Sequence, residues 1–267
     1  MPLVRSCPIL LFALAFLACH SDGPALSQAR AGPSTDPGTL ASPAASAPIA
    51  VVELFTSEGC SSCPSAEALL ADLSRRSTVY ALAFHVDYWD GLGWPDRFAS
   101  SEYTERQLAY ARSFGSEGLY TPQMVVDGTE VVSGSDRAGT EASLDRALSR
   151  PSPATVSVRA HASGAGTIRV DYTVAGAVGD AVLDVAAVER SVSTEVRAGE
   201  NAGRTLHHVN VVRAFVALSR PESSGSTTMR VSVGSSPDNL EVIAYLQQLP
   251  EPARGMRVLG AARSPLL

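Results

Sequence analysis

Two cysteines separated by two residues constrain this chain more than any other feature. Cys60 and Cys63 follow a short apolar run at 49–56 (IAVVELFT), which predicts a buried strand. From Cys60 onward, apolar residues recur at helical spacing up to Leu73, and a second apolar run at 79–86 predicts another buried strand. The sequence therefore predicts a strand–helix–strand unit with parallel strands and a CxxC motif at the beginning of its helix.

The segment after this unit continues the alternation of helices and strands. Ser100 or Ser101 can cap a helix that ends at Gly115, and a further helix is predicted from 135 or 136 to about 148. Between these helices, Asp127-Gly128 joins two short apolar runs, a pattern typical of a hairpin. The order β-α-β-α-β-β-α predicts an α/β thioredoxin-like domain, with a central mixed sheet and flanking helices, over residues 49–150.

The pattern changes at Pro151-Ser152-Pro153. Beyond this point, β-type runs are separated by Gly, Asn, Ser and Pro, and no helical period competes with them. The predicted strands are 155–160, 167–174, 181–192, 206–218, 227–233 and 241–248. Several strands with turn residues between them predict an all-β, sandwich-like domain over residues 154–267.

The N-terminal residues predict export. The apolar run at 9–18 is too short to span a bilayer, but it fits a signal peptide over residues 1–18. Cys19 follows a small residue at the end of this run, which resembles a bacterial lipoprotein processing site. A lipid on Cys19 would anchor the mature chain to a membrane surface, and we expect a periplasmic location. An ordinary signal peptide, cut near Ala15 or Ala18, is the alternative.

A tether is predicted between the signal peptide and the folded part. Residues 19–48 are rich in Pro, Ala, Ser and Gly and contain almost no large apolar side chains. Such a segment cannot bury enough apolar surface to offset the entropy lost on ordering, so it is expected to be disordered. A tether directly after Cys19 is what a protein held at a membrane surface would need.

The charge balance excludes one class of partner. The chain has 21 Lys and Arg against 27 Asp and Glu, which gives a net charge of −6 at pH 7. A general nucleic-acid binder needs a basic patch for the phosphate groups. No basic cluster occurs in the sequence. We therefore expect no nucleic-acid partner.

The chain has four cysteines, and two of them lie in the N-terminal segments. Cys7 is removed with the signal peptide, and Cys19 is lipidated or remains in the tether. Cys60 and Cys63 are left in the folded part, in an oxidising compartment. A disulfide between them closes too small a loop to stabilise a fold through chain entropy. Its purpose is therefore expected to be chemical.

The position of the two cysteines at a helix start suits thiol–disulfide exchange. The N–H groups and the dipole of the helix stabilise a thiolate at Cys60 and lower the pKa of its thiol. Cys63, one turn further, would resolve the mixed disulfide. This chemistry needs no cofactor, and its partners would be protein thiols or disulfides and a separate redox partner. An inert local disulfide and a metal site are the alternatives.

Five segments together carry a family resemblance. They are VELFTSEGCSSCP at 52–64, HVDYWD at 85–90, GWPDRFA at 93–99, YTPQMVVDG at 120–128 and GENAGRTL at 199–206. The chain resembles a bacterial family of secreted thioredoxin-like proteins catalogued as domain of unknown function 1223. The resemblance implies a thioredoxin-like fold and export, but no reaction. It also implies that Pro122 is a cis proline beside the cysteines, and that Thr121 presents its backbone to an extended substrate.

Four further residues are candidates for supporting roles. Glu53 is the one charged residue of the first strand, and a buried carboxylate below the cysteines of thioredoxin-like proteins can accept the proton of the deeper thiol. An exposed or strand-edge position is the alternative for Glu53. His85 and Asp87 end the second strand, where function gathers in parallel sheets; His85 would act as a base or bond the following loop. Trp89 would cap the site or pack the loop onto the core.

Two other function classes fit the same residues. A copper or zinc protein would bind the ion through Cys60, Cys63 and His85, because thiolates and imidazole suit these ions. His207 and His208 are adjacent in a predicted strand and face opposite ways, so they cannot jointly chelate a metal. A non-catalytic adaptor would use the same face for binding alone and would not need the cysteines.

Overall fold

The computed structural model describes residues 48–267 except 117, 165, 177–178, 232–234 and 251–254. The predicted signal peptide, the lipidation site Cys19 and the tether up to residue 47 lie outside the described residues. Within the described part of the chain, no helix combines the length and the hydropathy that a membrane crossing requires.

The first half alternates strands and helices as predicted. Its elements are β1 (Ala50–Thr56), α1 (Cys63–Ser74), β2 (Val79–His85), a 3₁₀ helix (Asp87–Leu92), α2 (Ser101–Phe114), β3 (Gln123–Val126), β4 (Glu130–Ser133) and α3 (Arg137–Leu148). The hydroxyl of Ser100 accepts the N–H of Glu102 at the beginning of α2. Gly115 ends α2 in the left-handed region, with φ of 69°. The capping residues therefore define both ends of α2 locally.

The second half consists of strands. They are β5 (Ala154–Ala162), β6 (Thr167–Gly176), β7 (Ala181–Glu195), β8 (Thr205–Ser219), β9 (Ser224–Arg230), β10 (Leu240–Gln248) and β11 (Val258–Pro265). The sequence pattern did not predict β11. Its central residues, Gly260, Ala261 and Ala262, have small side chains, and these give a weak strand preference.

Eight of the strands form one mixed sheet, in the order β11-β10-β7-β8-β2-β1-β3-β4. β1 and β2 are parallel, with Val52 opposite Ala81, and β3 is antiparallel to β1. β8 joins the outer side of β2 in parallel, with Val211 opposite Ala83. A second sheet has three antiparallel strands, in the order β5-β6-β9.

The two faces of the large sheet are covered by different layers. On one face, α1 and α3 pack over β1, β2 and β3. The three-stranded sheet packs over β7 and β10 on this same face, which makes a two-layer β arrangement. On the opposite face, α2 places Tyr103 and Tyr110 against strands from both halves. A helix covers each face near the carboxyl ends of β1 and β2.

The two halves share one sheet, whereas the sequence predicts two separate domains. Strands beyond Pro153 do form a sandwich-like pair of layers, but four of them also extend the sheet of the first half. The described residues all belong to one compact unit. The reason is that the alternation of apolar and polar residues predicts which side chains of a strand are buried. It does not predict which other strand pairs with that strand in the sheet.

Candidate functional site

Cys60 and Cys63 form a disulfide at the beginning of α1, and their Cα atoms are 5.4 Å apart. The N–H of Cys63 donates to the carbonyl of Cys60 (3.2 Å), which closes a turn before the helix. The helix therefore begins at Cys63, three residues later than the sequence pattern predicted. Pro64 occupies the first turn, where a missing N–H costs nothing.

The serines between the cysteines leave the positive end of α1 available. Ser62 is the N-cap residue, yet its side chain accepts no capping hydrogen bond from the described residues. Its hydroxyl instead lies 3.3 Å from the Cys60 sulfur. The first turn of α1 holds no acidic residue. A thiolate at Cys60 would face both the helix N-terminus and the Ser62 hydroxyl, which favour negative charge.

The loop between β7 and β8 covers Cys60. The side-chain amide of Asn201 donates to the carbonyl oxygens of Glu58 (2.9 Å) and Cys60 (3.0 Å). The carboxylate of Glu200 accepts the N–H of Ser61 at 3.0 Å. The side chain and the N–H of Ser61 together lower the pKa of Glu200. Cys60 is only 1% exposed. A substrate disulfide could not reach the Cys60 sulfur unless residues around it moved.

The segment before β3 packs against α1. The peptide bond between Thr121 and Pro122 is cis, as the family resemblance implied. A Cβ atom placed on Gly134 would lie 2.7 Å from Cβ of Pro122 and 2.9 Å from Cβ of Ala66. Gly134 therefore allows the proline to approach α1 one turn after Cys63. The buried hydroxyl of Thr121 has no hydrogen-bond partner among the described residues.

Five buried ionisable residues form a second group, which we call the His208 cluster. Its members are Glu58, Glu67, His85, Asp96 and His208. Nδ1 of His208 bonds the Glu67 carboxylate, and Nε2 of His208 lies 3.2 Å from Oε1 of Glu58. Nδ1 of His85 bonds Oδ2 of Asp96 at 2.6 Å. The two imidazole rings meet edge to face, with centroids 5.1 Å apart.

Local elements hold this cluster on the α1 side of the sheet. Glu67 lies one turn after Cys63 on the buried face of α1, and it accepts the hydroxyl of Thr56 at 2.7 Å. His85 ends β2. Asp96 also accepts the backbone N–H of Glu58 at 2.8 Å. The cluster thus ties the loop before Cys60 to α1, β2 and β8.

Charge pairing sets the pKa values in the cluster. Burial by itself would lower the pKa of His208, but the neighbouring carboxylates of Glu58 and Glu67 raise it to about 10. Burial would raise the pKa of Asp96, but the charge of His85 and its hydrogen bond hold it below the ordinary value. Burial would raise the pKa of Glu58, but the contact with His208 and the hydrogen bond from Trp94 hold it below the ordinary value. His208 thus lies between two carboxylates.

Glu53 requires a correction, because it does not lie below the cysteines. Side chains alternate along β1, and Glu53 faces α2 with Val51 and Phe55, away from α1. There the guanidinium of Arg106 donates to both of its carboxylate oxygens, at 2.5 and 3.0 Å. The buried carboxylate on the α1 side is Glu67 instead.

Arg106 is the centre of a further buried group, which we call the Arg106 cluster. Its members are Glu53, Arg106, Tyr110, Asp184, Tyr245 and Gln247. Arg106 donates to the hydroxyl of Tyr245 at 2.9 Å and to Oε1 of Gln247 at 3.1 Å. These contacts join α2 to strands of the second half.

Asp87 and Trp89 flank the site without bonding the cysteines. A carboxylate oxygen of Asp87 accepts the hydroxyl of Thr104 at 2.6 Å, which fastens the 3₁₀ helix to α2. Trp89 packs against Gly59, where an added Cβ would lie 3.4 Å from Cβ of the tryptophan.

Among the described His, Cys, Asp and Glu residues, one group could hold a metal ion. It contains His85 with Glu67 and His208, and neither cysteine.

A family described as "protein of unknown function (DUF1223)" matches residues 51–247. The chain belongs to this family. The match confirms the family resemblance, and it includes both cysteines, the Asn201 loop and all five members of the His208 cluster. No curated protein matches the chain.

Two solved structures resemble the DUF1223 chain. A protein from Agrobacterium tumefaciens has a TM-score of 0.63 and 29% sequence identity, over 80% of this chain and 92% of its own. HBP35 of Porphyromonas gingivalis has a TM-score of 0.60 and 15% identity, over 82% of this chain and 75% of its own. The second likeness shows the fold alone.

Sequence reasoning missed four residues of the DUF1223 site: Glu58, Glu67, Asp96 and Asn201. Glu67 had a local signal, because an acid four residues after Cys63 falls on the apolar face of α1. His208 had a weaker signal, because it alternates with the exposed His207 along β8. Asn201 had none, since its two acceptors lie more than 140 residues earlier in the chain.

Proposed function

We propose that this DUF1223 protein is an exported thiol–disulfide oxidoreductase that uses Cys60 and Cys63 as its redox pair. The first half would be a thioredoxin-like domain, and the substrates would be protein thiols or disulfides. One observation carries the proposal: the disulfide lies at the N-terminal end of α1, with the Ser62 hydroxyl 3.3 Å from the Cys60 sulfur. That environment lowers the pKa of a thiol and makes it a better nucleophile near neutral pH.

The chemistry requires only the two cysteines and a partner of the same class. In the reduced chain, the Cys60 thiolate attacks one sulfur of a substrate disulfide, a mixed disulfide forms, and the other substrate sulfur leaves as a thiolate that takes up a proton. The Cys63 thiol then loses its proton and attacks the Cys60 sulfur. The second substrate thiolate leaves, and the Cys60–Cys63 disulfide re-forms. Two electrons pass to the substrate, and an exported dithiol protein would return the chain to the reduced state.

The same steps run in reverse when the chain oxidises a substrate dithiol. The Cys60–Cys63 disulfide is then attacked by a substrate thiolate and ends as two thiols. An exported disulfide protein would re-oxidise it. In both directions the substrate must reach the buried Cys60 sulfur. We expect the Asn201 loop, which bonds the backbone of Glu58 and Cys60, to move for this access.

The N-terminal segments support a location outside the cytoplasm. A signal peptide over residues 1–18, a lipid on Cys19 and a tether up to residue 48 would place the folded part in the periplasm at a membrane surface. A disulfide is stable in that compartment. The β-rich half, residues 154–267, would supply docking surface and rigidity, because its strands complete the sheet beside β2.

Trapping of mixed disulfides tests this function. A Cys63→Ser variant of the full chain, made in its native compartment and quenched with acid and an alkylating agent, should stay bonded through Cys60 to its substrates. Cys60→Ser is the matched control, because it leaves the other cysteine in place. We expect reducible adducts with Cys63→Ser and none with Cys60→Ser.

Two results would count against the proposal. One is a Cys63→Ser variant without adducts although the wild-type disulfide exchanges with a thiol buffer in vitro. The other is a Cys60→Ser, Cys63→Ser double variant that supports the same growth or stress phenotype as wild type, which is what a non-catalytic adaptor predicts.

A further inference from the structure

The two buried histidines of the His208 cluster are oriented in the way that metal ligands are. Nδ1 of His85 bonds Oδ2 of Asp96 at 2.6 Å, and Nε2 of His208 lies 3.2 Å from Oε1 of Glu58, which leaves Nδ1 of His208 toward Glu67. A carboxylate on one ring nitrogen fixes the tautomer and makes the other nitrogen a better donor to a metal. Both rings are essentially inaccessible, with His85 0% and His208 1% exposed.

Three buried polar atoms of the cluster have no hydrogen-bond partner among the described residues. They are Nε2 of His85, Nε2 of His208 and Oε1 of Glu58. Buried polar atoms are nearly always paired, so three orphaned atoms in one cluster need a cause. The contact between His208 and Glu58, at 3.2 Å, accounts for two of them as an ion pair. It leaves Nε2 of His85 unexplained.

A single ion would account for the whole arrangement. One ligand atom each from Glu67, His85 and His208 lies within 4.8 Å of the other two. Two nitrogen ligands of one zinc ion lie at most about 4.2 Å apart, because each Zn–N bond is about 2.0–2.1 Å long. Small rotations of the three side chains would therefore bring the ligand atoms to bonding distance.

We propose that Glu67, His85 and His208 bind a zinc ion, and that Asp96 positions His85 from behind. Two imidazoles and a carboxylate suit zinc and other first-row divalent ions. The ion would lie at Nδ1 of His208 next to Glu67, and Glu58 positions the His208 ring from its Nε2 side. This site lies on the α1 side of the sheet, uses neither cysteine, and does not depend on the redox function proposed above.

The surroundings of the site determine how an ion enters. Phe98 covers both histidines, with ring centroids 5.3 Å from His85 and 5.7 Å from His208. On its other side, Phe98 lines an open cavity of about 470 Å³ together with Arg97 and Arg213. Because both histidines are buried, an ion is expected to enter while the chain folds, and the test must supply zinc at that stage.

The experiment measures zinc in the mature chain after refolding with excess Zn²⁺ and removal of unbound metal. We expect about one zinc per wild-type chain by elemental analysis. X-ray absorption at the zinc edge should show nitrogen and oxygen ligands and no sulfur at about 2.3 Å. The Cys60→Ser, Cys63→Ser double variant should hold the same amount of zinc.

Matched variants locate the ligands. His208→Asn should lose the zinc, whereas His207→Asn, its exposed neighbour on the other face of β8, should keep it. Asp96→Asn should bind zinc roughly 10- to 100-fold more weakly, as expected for an outer partner of a ligating histidine. Circular dichroism of each variant separates loss of metal from loss of fold.

The zinc content and the X-ray absorption spectrum of the wild-type chain keep the proposal falsifiable even if His208→Asn does not fold. A folded wild-type chain without zinc overturns the proposal, as does a spectrum with sulfur ligands. Loss of zinc in the double cysteine variant would assign the metal to the cysteines instead. Failure of the trapping experiment has no bearing on this result, because none of these measurements uses the redox reaction.

Discussion

The Arg106 cluster and the His208 cluster are both buried and charged, but they differ in how completely their polar atoms are paired. In the Arg106 cluster, no buried side-chain N or O atom is without a hydrogen bond among the described residues. In the His208 cluster, three such atoms are unpaired. The first lies on the α2 side of the sheet, and the second on the α1 side, which also carries the CxxC motif.

This difference separates a structural role from a functional one. When every polar atom of a buried network has a hydrogen-bond partner, the network fixes the register of the helices and strands that carry its residues. The Arg106 cluster does this for the two halves, because Glu53 and Arg106 come from the first and Tyr245 from the second. A buried network with missing partners costs stability, and such costs persist mainly at sites of function.

The largest expected effect comes from breaking the Arg106 cluster. Arg106→Met removes the cation and leaves the Glu53 charge buried without its partner, so the free energy of unfolding should fall by about 3–5 kcal/mol. Urea denaturation measures the loss. Arg75→Met is the matched control, because Arg75 pairs with Asp72 at the surface and should change little. Equal midpoints for the two variants would contradict a structural role for the cluster.

A pH-dependent effect comes next, from the second acid beside Arg106. Burial raises the pKa of Asp184 from its ordinary value to about 7. Between pH 4 and 7 the folded chain therefore holds a proton that the unfolded chain has released, and stability falls as the pH rises through this window. Asp184→Asn cannot ionise and removes this loss.

The measurement is the difference in unfolding free energy between wild type and Asp184→Asn. From pH 5 to pH 8, the unfolding free energy of Asp184→Asn should rise relative to that of wild type by on the order of 2 kcal/mol. A constant difference across that range would mean that Asp184 is ionised throughout, which would make the Arg106 cluster a fully charged network.

The cover over Cys60 provides a smaller effect on the functional side of the comparison. Asn201→Ala removes two hydrogen bonds of about 1 kcal/mol each, so the loop should open more often. We expect reduction of the Cys60–Cys63 disulfide by a water-soluble phosphine to become up to roughly 30-fold faster, since about 1.4 kcal/mol corresponds to a factor of ten. Asn239→Ala removes a side-chain hydrogen bond to the carbonyl of Ser191, away from Cys60, and should leave the rate of reduction unchanged. An unchanged rate in Asn201→Ala would show that another group covers the sulfur.

The smallest effect concerns the environment of the Cys60 thiol. Ser62→Ala, made in a Cys63→Ser background, removes the hydroxyl 3.3 Å from the Cys60 sulfur. The pKa of Cys60 should rise by about one unit, because a hydrogen bond to a charged group contributes about 1.5 kcal/mol. The pH dependence of alkylation measures it. Ser74→Ala, at the other end of α1, is the control that should not shift the profile.

The local elements of this chain could be predicted because their causes are local. The apolar runs at β1 and β2, the cap at Ser100 and the glycine at 115 each determine an element from its own residues. The Asp127-Gly128 turn did the same for the β3–β4 hairpin, where both residues adopt positive φ. The beginning of α1 was three residues in error, because the turn between Cys60 and Cys63 resembles a helix in pattern.

The site itself was predictable only along short stretches of sequence. The CxxC pair could be recognised because both cysteines lie within one turn. The His208 cluster could not, because the bond between Glu67 and His208 joins residues 141 positions apart. Nor could the face of Glu53, since a shift of one residue in a strand moves every side chain to the other side of the sheet.

The sequence by itself thus determined the strand–helix–strand unit, the CxxC cysteine pair and the change to β structure after Pro153. The tertiary structure alone decided that β8 lies beside β2, and this one pairing places His208 next to Glu67 and His85. It also brought Asn201 over Cys60. The physical reason is that periodicity and capping act within a few residues, whereas the pairing of distant strands depends on the packing of the whole core.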